Sequence, residues 1–124
     1  MSRRTERINS QLRTEISKMI ASEIKDPRIS GIVSITRVDT TGDLSTATVH
    51  VSVYGSDLDK RNTIKALTSA TRFIQSELLR RLSIRRTPYL SFRLDESIEE
   101  ANKIHALLDS LDIPPEEPEQ EPSQ

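Results

Sequence analysis

The stretch DLSTATVHVSVYG, residues 43 to 55, contains the clearest secondary-structure signal of the chain. Apolar and polar side chains alternate along it, the apolar ones being Ala47, Val49, Val51 and Val53. Successive side chains of a β-strand point to opposite faces of a sheet, so this period of two predicts a strand over residues 44 to 54. One face of that strand is expected to be buried, and the other, polar face is expected to meet water.

Two further strands are predicted, one on each side of this stretch. Residues 32 to 38 are rich in β-branched side chains, but neither alternate set is uniformly apolar, so a bulge and burial on both faces are the two alternatives. Residues 90 to 94 place Leu90, Phe92 and Leu94 at every second position. The sequence therefore predicts three strands.

Helical periodicity accounts for most of the other residues. A first amphipathic helix is predicted from about residue 4 to 25, and it ends before Pro27 because the residue preceding a proline disfavours helical angles. A second helical region begins near residue 57, where Ser56 and Asp59 provide a capping box, and its apolar period continues to about residue 82. That pattern fits one long helix or two helices joined by a kink.

A last helix follows the third strand, with Asp95 or Ser97 as its N-cap. Its apolar positions are Ile98, Ala101, Ile104, Leu108 and Leu111. Residues 114 to 124, PPEEPEQEPSQ, have no apolar side chain to bury and are expected to form a disordered acidic tail rich in Pro and Glu. Residues 1 to 113 then form one α+β domain, in which helices pack on one face of a three-stranded sheet.

Charge is distributed unevenly along the chain, although its net value is only −1. Residues 1 to 94 contain 17 Lys and Arg against 9 Asp and Glu, whereas residues 95 to 124 contain 1 against 10. The basic part is suited to a polyanion, and the acidic part can act as a solubiliser or an internal competitor. Arginine outnumbers lysine 13 to 5, which favours RNA because guanidinium groups bind phosphate bidentately and stack on bases.

The residue types that catalysis and metal binding require are scarce. There is no cysteine, and the two histidines, His50 and His105, are interpreted as ordinary solvent-facing side chains. The three glycines lie too far apart for a phosphate-binding loop. No apolar run approaches the roughly 20 residues of a membrane span, and no signal peptide follows the N-terminal arginines. We therefore expect a cytoplasmic protein that is not an enzyme and that uses no metal or cofactor.

Basic side chains follow the polar side of the second helical region, where Arg61, Lys65, Arg72 and Arg80 would form one stripe along a continuous rod. The candidate RNA contacts are Arg3, Arg4, Arg7, Lys65, Arg72, Arg80, Arg81, Arg85 and Arg86. The alternative is that these residues only solvate helix faces, where Glu77 and Arg81 would form an ordinary (i, i+4) ion pair.

Aromatic side chains add little to this candidate interface. Phe73 and Phe92 belong to the apolar patterns, which leaves Tyr54 and Tyr89 for stacking on bases. Without more stacking groups, base-by-base readout is not expected. Recognition would instead depend on the RNA backbone and its shape.

Five segments carry a resemblance to a known family. They are KDPRI (25 to 29), DLSTATVHVSVYG (43 to 55), SATRFIQSELLRRL (69 to 82), RRTPYLSFRLDES (85 to 97) and SIEEANKIHALL (97 to 108). In this order they resemble the ribosome-binding factor A family of bacteria, over nearly the whole chain apart from its acidic tail. The resemblance implies a type II KH-like fold, with element order α-β-β-α-α-β plus a C-terminal helix.

The resemblance also implies a function. Members of this family are non-enzymatic assembly factors that bind the immature small (30S) ribosomal subunit and its 16S ribosomal RNA, assist late maturation and processing of the 5′ region of that RNA, and support growth in the cold. We expect the same of this chain, as a monomer without a membrane or small-molecule partner. The alternative is a KH-like protein-interaction module without direct RNA contact, which would use the sheet surface around His50, Ser52, Tyr54 and Arg93.

Family members carry an Ala-x-Gly kink between the paired helices, and the residues matching it here are Ala70, Thr71 and Arg72. Arginine in place of glycine disfavours a kink that depends on positive φ and favours straighter helices. The substitution also adds a charge where KH domains approach RNA, unless Arg72 only completes a helical turn. By the same resemblance, the Asp26 to Ile29 segment links the first helix to the sheet, with Arg28 in a structural role.

Overall fold

Four helices and three strands follow one another within residues 3–29 and 31–111, the part of the chain that the computed structural model describes. They are α1 (Arg3–Ser22), β1 (Ile32–Thr40), β2 (Thr46–Tyr54), α2 (Asp57–Ser69), α3 (Thr71–Arg81), β3 (Tyr89–Leu94) and α4 (Ser97–Leu111). This order confirms the predicted α+β fold class. The tail predicted for residues 114 to 124 lies outside the described residues. No helix in the described part of the chain is both long and apolar enough to cross a membrane.

The sheet has the strand order β1-β2-β3, with β1 antiparallel and β3 parallel to the central strand β2. The alternating stretch is therefore the middle strand, which pairs on both sides. Its apolar residues are all buried, with at most 1% of their surface exposed: Ala47, Val49, Val51 and Val53. The position of this strand explains why its pattern is the clearest in the sequence.

A β-bulge explains the irregular pattern of β1. The register between β1 and β2 shifts between Ile35 and Arg37, which leaves Thr36 as the extra residue. Because of this shift, Ile35 and Val38 are both buried although they are three positions apart. Of the two alternatives for this strand, the bulge is confirmed.

The core lies between one face of the sheet and the first three helices. On α1, Leu12, Ile16 and Met19 are completely buried, and their spacing places them on one side of the helix. The residues from α2 and α3 in the same cluster are Leu67, Ile74 and Leu78. The polar faces of these helices carry most of their basic residues to solvent, with the exceptions of Lys60, which is buried, and Arg81, which is 19% exposed.

The second helical region is divided at Ala70, whose φ of −87° and ψ of 2° lie in the bridge region between helix and strand. The N–H of Ala70 still donates to the carbonyls of Ala66 and Leu67, at 3.0 and 3.1 Å. The predicted capping box is also present, with Ser56 and Asp59 bonding each other's backbone N–H groups. The helices are therefore separated although Arg72 occupies the glycine position, because this break needs no positive φ.

The link between α1 and β1 is held by local contacts. The guanidinium of Arg28 lies 2.8 Å from the Asp26 carboxylate, and the Ile29 N–H donates to the Asp26 carbonyl at 3.0 Å. Gly31 has φ +77°, and a Cβ there would collide with the Tyr54 carbonyl on the neighbouring strand. These contacts agree with the structural role expected for Arg28.

Helix α4 follows the sheet as an additional element that buries none of its residues. Among the described residues, the side-chain hydrogen bonds and ion pairs that join it to the domain lie at its start. The Thr36 hydroxyl donates to the Asp95 carboxylate at 2.6 Å, and Lys60 Nζ lies 3.2 and 2.7 Å from the carboxylates of Glu96 and Glu99. The helices that cover the sheet are therefore α1, α2 and α3.

Candidate nucleic-acid interface

Arginines from two distant parts of the sequence line one open groove of about 420 Å³. Arg4 comes from the first turn of α1, and Arg85 and Arg86 come from the loop between α3 and β3. Asp43 and Leu44 of the β1–β2 turn form another wall. We call this feature the arginine groove. It brings together three of the nine candidate RNA contacts.

The loop that carries Arg85 and Arg86 is fixed on both sides. Before β3 begins, the amide of Gln75 on α3 donates to the Thr87 hydroxyl at 3.0 Å. At the start of the strand, the Tyr89 N–H donates to the Ser45 carbonyl at 2.9 Å, which joins the loop to the β1–β2 turn. The two arginines are therefore placed by α3 and by the sheet together.

The β1–β2 turn adds one negative charge to the arginine groove. The Asp43 carboxylate accepts hydrogen bonds from the Thr41 hydroxyl at 2.7 Å and from the Ser45 hydroxyl and N–H at 2.8 and 3.1 Å. These bonds, the Thr41 hydroxyl first, lower the pKa of Asp43 to about 2. Leu44 follows with φ 61°, an uncommon angle for leucine that turns the chain towards β2. Three arginines thus face one ionised aspartate.

The arginines of the groove are available for a ligand. Arg4, Arg85 and Arg86 are all exposed, and none of them forms an ion pair with a residue of the described ranges. An exposed guanidinium without an acidic partner can donate hydrogen bonds to a phosphate without first breaking an ion pair. The groove therefore has the chemistry of an anion site.

Four further candidates are exposed on the helices: Arg3 and Arg7 on α1, Lys65 on α2 and Arg72 on α3. Arg3 and Arg7 belong to the same helical turns as Arg4. The predicted stripe is divided by the break at Ala70, so Lys65 and Arg72 stand on separate helices. The kink residues Ala70 and Thr71 are half-buried.

Arg81 has a different environment from the other candidates. Its side chain is only 19% exposed, and its guanidinium contacts Glu77 at 3.0 Å, Glu15 at 3.5 Å and also Glu23. The Glu77 contact is the (i, i+4) pair anticipated from the sequence. Arg80 also pairs with Glu77, but its side chain is 69% exposed. The geometry favours a structural role for Arg81, which ties α3 to α1, and leaves Arg80 partly available.

Phe73 is a candidate contact that the sequence pattern misplaced. The apolar pattern places it on the buried side of the helix, but it is 45% exposed, whereas Ile74 beside it is completely buried. The spacing of Ile74 and Leu78, four residues apart, already identified the buried side of α3. Phe73 is adjacent to Arg72 and adds an exposed ring to Tyr54 and Tyr89, which are exposed as predicted.

Three polar side chains on the outer face of the sheet contact one another. Nε2 of His50 lies 3.1 Å from Asp39, whose carboxylate also accepts a bond from Arg37 at 2.9 Å. The His50 side chain is only 18% exposed, so its interpretation as an ordinary solvent-facing histidine is wrong, whereas His105 on α4 is exposed. Arg37, more than His50, lowers the pKa of Asp39.

Comparison with known proteins gives one consistent result. A family model described as ribosome-binding factor A matches residues 4–108. Ribosome-binding factor A of Caldanaerobacter subterraneus subsp. tengcongensis is 49% identical over 111 residues, which cover 90% of this chain and 91% of that protein. The crystal structure of ribosome-binding factor A from Thermus thermophilus has a TM-score of 0.65 at 26% identity, covering 73% of this chain and 93% of that one.

A second structural match concerns a complex with a ribosomal subunit. A homology model of the Thermus thermophilus factor, fitted into a cryo-EM map of a complex between that factor and the 30S subunit, has a TM-score of 0.60 to this chain at 26% identity. The match covers 71% of this chain and 91% of the other. The Thermus factor is thus described in a complex with the small subunit.

Proposed function

The chain belongs to the ribosome-binding factor A family, and from that membership we propose that it binds the immature small ribosomal subunit through 16S ribosomal RNA. It acts there as a non-enzymatic assembly factor in the cytoplasm, as a monomer. Residues 1 to 113 supply the RNA-binding domain. The Thermus relative fitted into a 30S complex supports the choice of partner.

The observation that carries this proposal is the arginine groove. Phosphate contacts fix the position of a protein on RNA, and they need several cations at one place rather than an evenly basic surface. Arg4, Arg85 and Arg86 meet this requirement because the fold brings them together and no described carboxylate pairs with them. The open shape of the groove suits a sugar–phosphate backbone better than a buried small molecule.

The wider interface extends along α1 and α3. Arg3 and Arg7 continue the cationic surface along the first turns of α1, and Arg72, Arg80 and Lys65 add charge on the paired helices. Phe73, Tyr54 and Tyr89 are the exposed rings able to stack on unpaired bases. Arg81 contributes by holding α3 against α1.

The proposed mechanism needs no covalent step. A factor that binds one arrangement of the RNA more tightly than the others shifts the subunit towards that arrangement, by as much as its affinities differ. Assistance to late maturation and processing of the 5′ region of 16S RNA, and support of growth in the cold, follow if that arrangement forms slowly without the factor.

Binding to purified small subunits tests this proposal. The double substitution Arg85→Ala with Arg86→Ala should weaken co-sedimentation at least about tenfold, because it removes two phosphate contacts. Both side chains are exposed, so the melting temperature should remain that of the unmodified protein. The matched control is Arg37→Ala, an exposed arginine on β1 that already pairs with Asp39. Equal binding by the double variant and the unmodified chain would count against the groove.

A protein-interaction module that uses the outer sheet face is the competing function. Tyr54 and Arg93 are exposed there, but His50 and Asp39 are bonded to each other. Free 16S RNA separates the two functions, because it should displace the protein from small subunits if RNA is the ligand. It should have little effect if the sheet face binds a ribosomal protein.

A further inference from the structure

Helix α4 presents a row of large apolar side chains to solvent. The exposed fractions are 59% for Ile104, 59% for Leu107, 56% for Leu108 and 65% for Leu111. No other helix of the described part of the chain exposes so many, since α1 to α3 bury their apolar sides in the core. An exposed apolar row of this kind marks a contact surface.

The orientation of α4 directs this row away from the domain. Glu99 marks the side that faces inward, because its carboxylate lies 2.7 Å from Lys60, whose side chain is 8% exposed. At about 100° per residue, Leu108 lies opposite Glu99 on the helix, and Ile104 and Leu111 lie within about 60° of Leu108. Ile104, Leu108 and Leu111 are therefore directed away from the domain, whereas Leu107 lies on the flank of the helix.

The attachment of α4 is specific enough to hold this orientation. Asp95 accepts the Thr36 hydroxyl at 2.6 Å and the Ser97 N–H at 2.9 Å, which fixes the first turn of the helix. Lys60 adds contacts to Glu96 and Glu99. A helix held through its first turn can offer its later turns to a partner.

Charge decides which partner fits the outward row. Residues 95 to 111 contain five acidic side chains against Lys103 alone, opposite in sign to the body of the domain. RNA would be repelled, and a second copy would bring two acidic helices together. Glu100 and Asp109 lie on α4 beside the apolar row and suit cations.

We propose that the outward side of α4 binds a basic amphipathic segment of a partner protein. The apolar side chains of that segment pack on Ile104, Leu108 and Leu111, and its Lys or Arg residues pair with Glu100 and Asp109. This helix-on-helix recognition uses apolar anchors at helical spacing with charge at the rim. It is separate from the arginine groove and does not require RNA.

A synthetic amphipathic peptide of leucine and lysine, labelled with fluorescein, is the probe. Two matched peptides serve as controls, one with glutamate in place of lysine and one with serine in place of leucine. The full chain is compared with the variant Ile104→Gln with Leu108→Gln, since glutamine and leucine have similar helix propensity. The matched control variant is Leu79→Gln, which alters a leucine that is 45% exposed on α3.

The expected result is binding of the leucine–lysine peptide alone, weakened about tenfold or more by the α4 variant and unchanged by Leu79→Gln. A second variant, Glu100→Gln with Asp109→Asn, keeps the apolar row and should weaken binding in low salt. Equal binding of either control peptide, or equal affinity of the α4 variant at unchanged circular dichroism, would overturn the proposal. A dimer of the full chain that the α4 variant dissociates would overturn it too, because a second copy would then be the occupant.

Discussion

Phe73 and Ile74 are neighbours on α3 that differ in burial, so truncating each of them to alanine should cost different amounts of stability. Ile74 is completely buried, and an Ile→Ala change at such a site costs about 3.5 kcal/mol of unfolding free energy. Phe73 is 45% exposed, so Phe73→Ala loses about half of the burial energy of a phenylalanine and leaves a space that water can fill. After the higher helix propensity of alanine is included, we expect a cost of about 1 kcal/mol.

Urea unfolding of both variants, followed by circular dichroism, measures this difference. The transition midpoint should fall much further for Ile74→Ala than for Phe73→Ala, at a similar slope. On heating, 1 kcal/mol corresponds to about 4 °C at this chain length, so the melting temperatures of the two variants should differ by about 10 °C. A Phe73→Ala variant that is as unstable as Ile74→Ala would refute the exposed position of Phe73.

Three further predictions concern charged residues. The hydrogen bonds from Thr36 and Ser97 lower the pKa of Asp95 to about 2. The stabilisation that comes with this lowered pKa is present above the ordinary pKa near 3.8 and is lost as pH falls through 2. Thr36→Val should therefore make the free energy of unfolding depend less on pH between about pH 4 and 2. Arg81→Met should lower the melting temperature clearly more than Arg80→Met, since Arg81 contacts three glutamates and Arg80 contacts one; equal melting would contradict this. Asp43→Asn keeps an oxygen acceptor for the turn and removes a negative charge from the arginine groove, so anisotropy titrations should give tighter RNA binding.

Local patterns were enough to predict the elements of this fold. The alternation in β2 and the capping box at Ser56 act within a few residues, and both are observed where the pattern placed them. Helix α1 ends before Pro27 as predicted, but at Ser22, three residues short of the predicted end. The bulge at Thr36 was one of two alternatives because periodicity shows that a strand is irregular without showing how its partner pairs. For a similar reason the sequence fits both one long helix and two helices at Ala70, since the break there depends on backbone angles that many residues can adopt.

The candidate site was only partly predictable because it depends on contacts between distant segments. Arg81 and Arg85 looked equivalent in sequence, but Arg81 meets Glu15 and Glu23 of α1, whereas Arg85 does not pair with any described acid. Arg4 and the loop after α3 line the same groove, and no pattern of neighbouring residues indicates this proximity. On α4, helical periodicity identified an apolar side correctly, but periodicity does not state whether that side faces the core or a partner.

The salt dependence of RNA binding tests the central claim most directly. Each phosphate contact contributes about 0.7 to the slope of log affinity against log salt for single strands and about 0.9 for duplexes. Removing two of the three groove arginines through Arg85→Ala with Arg86→Ala should therefore lower the magnitude of that slope by about 1.4 to 1.8, measured by anisotropy with 16S RNA fragments. A variant that binds with the slope of the unmodified protein would contradict the assignment of the arginine groove to RNA.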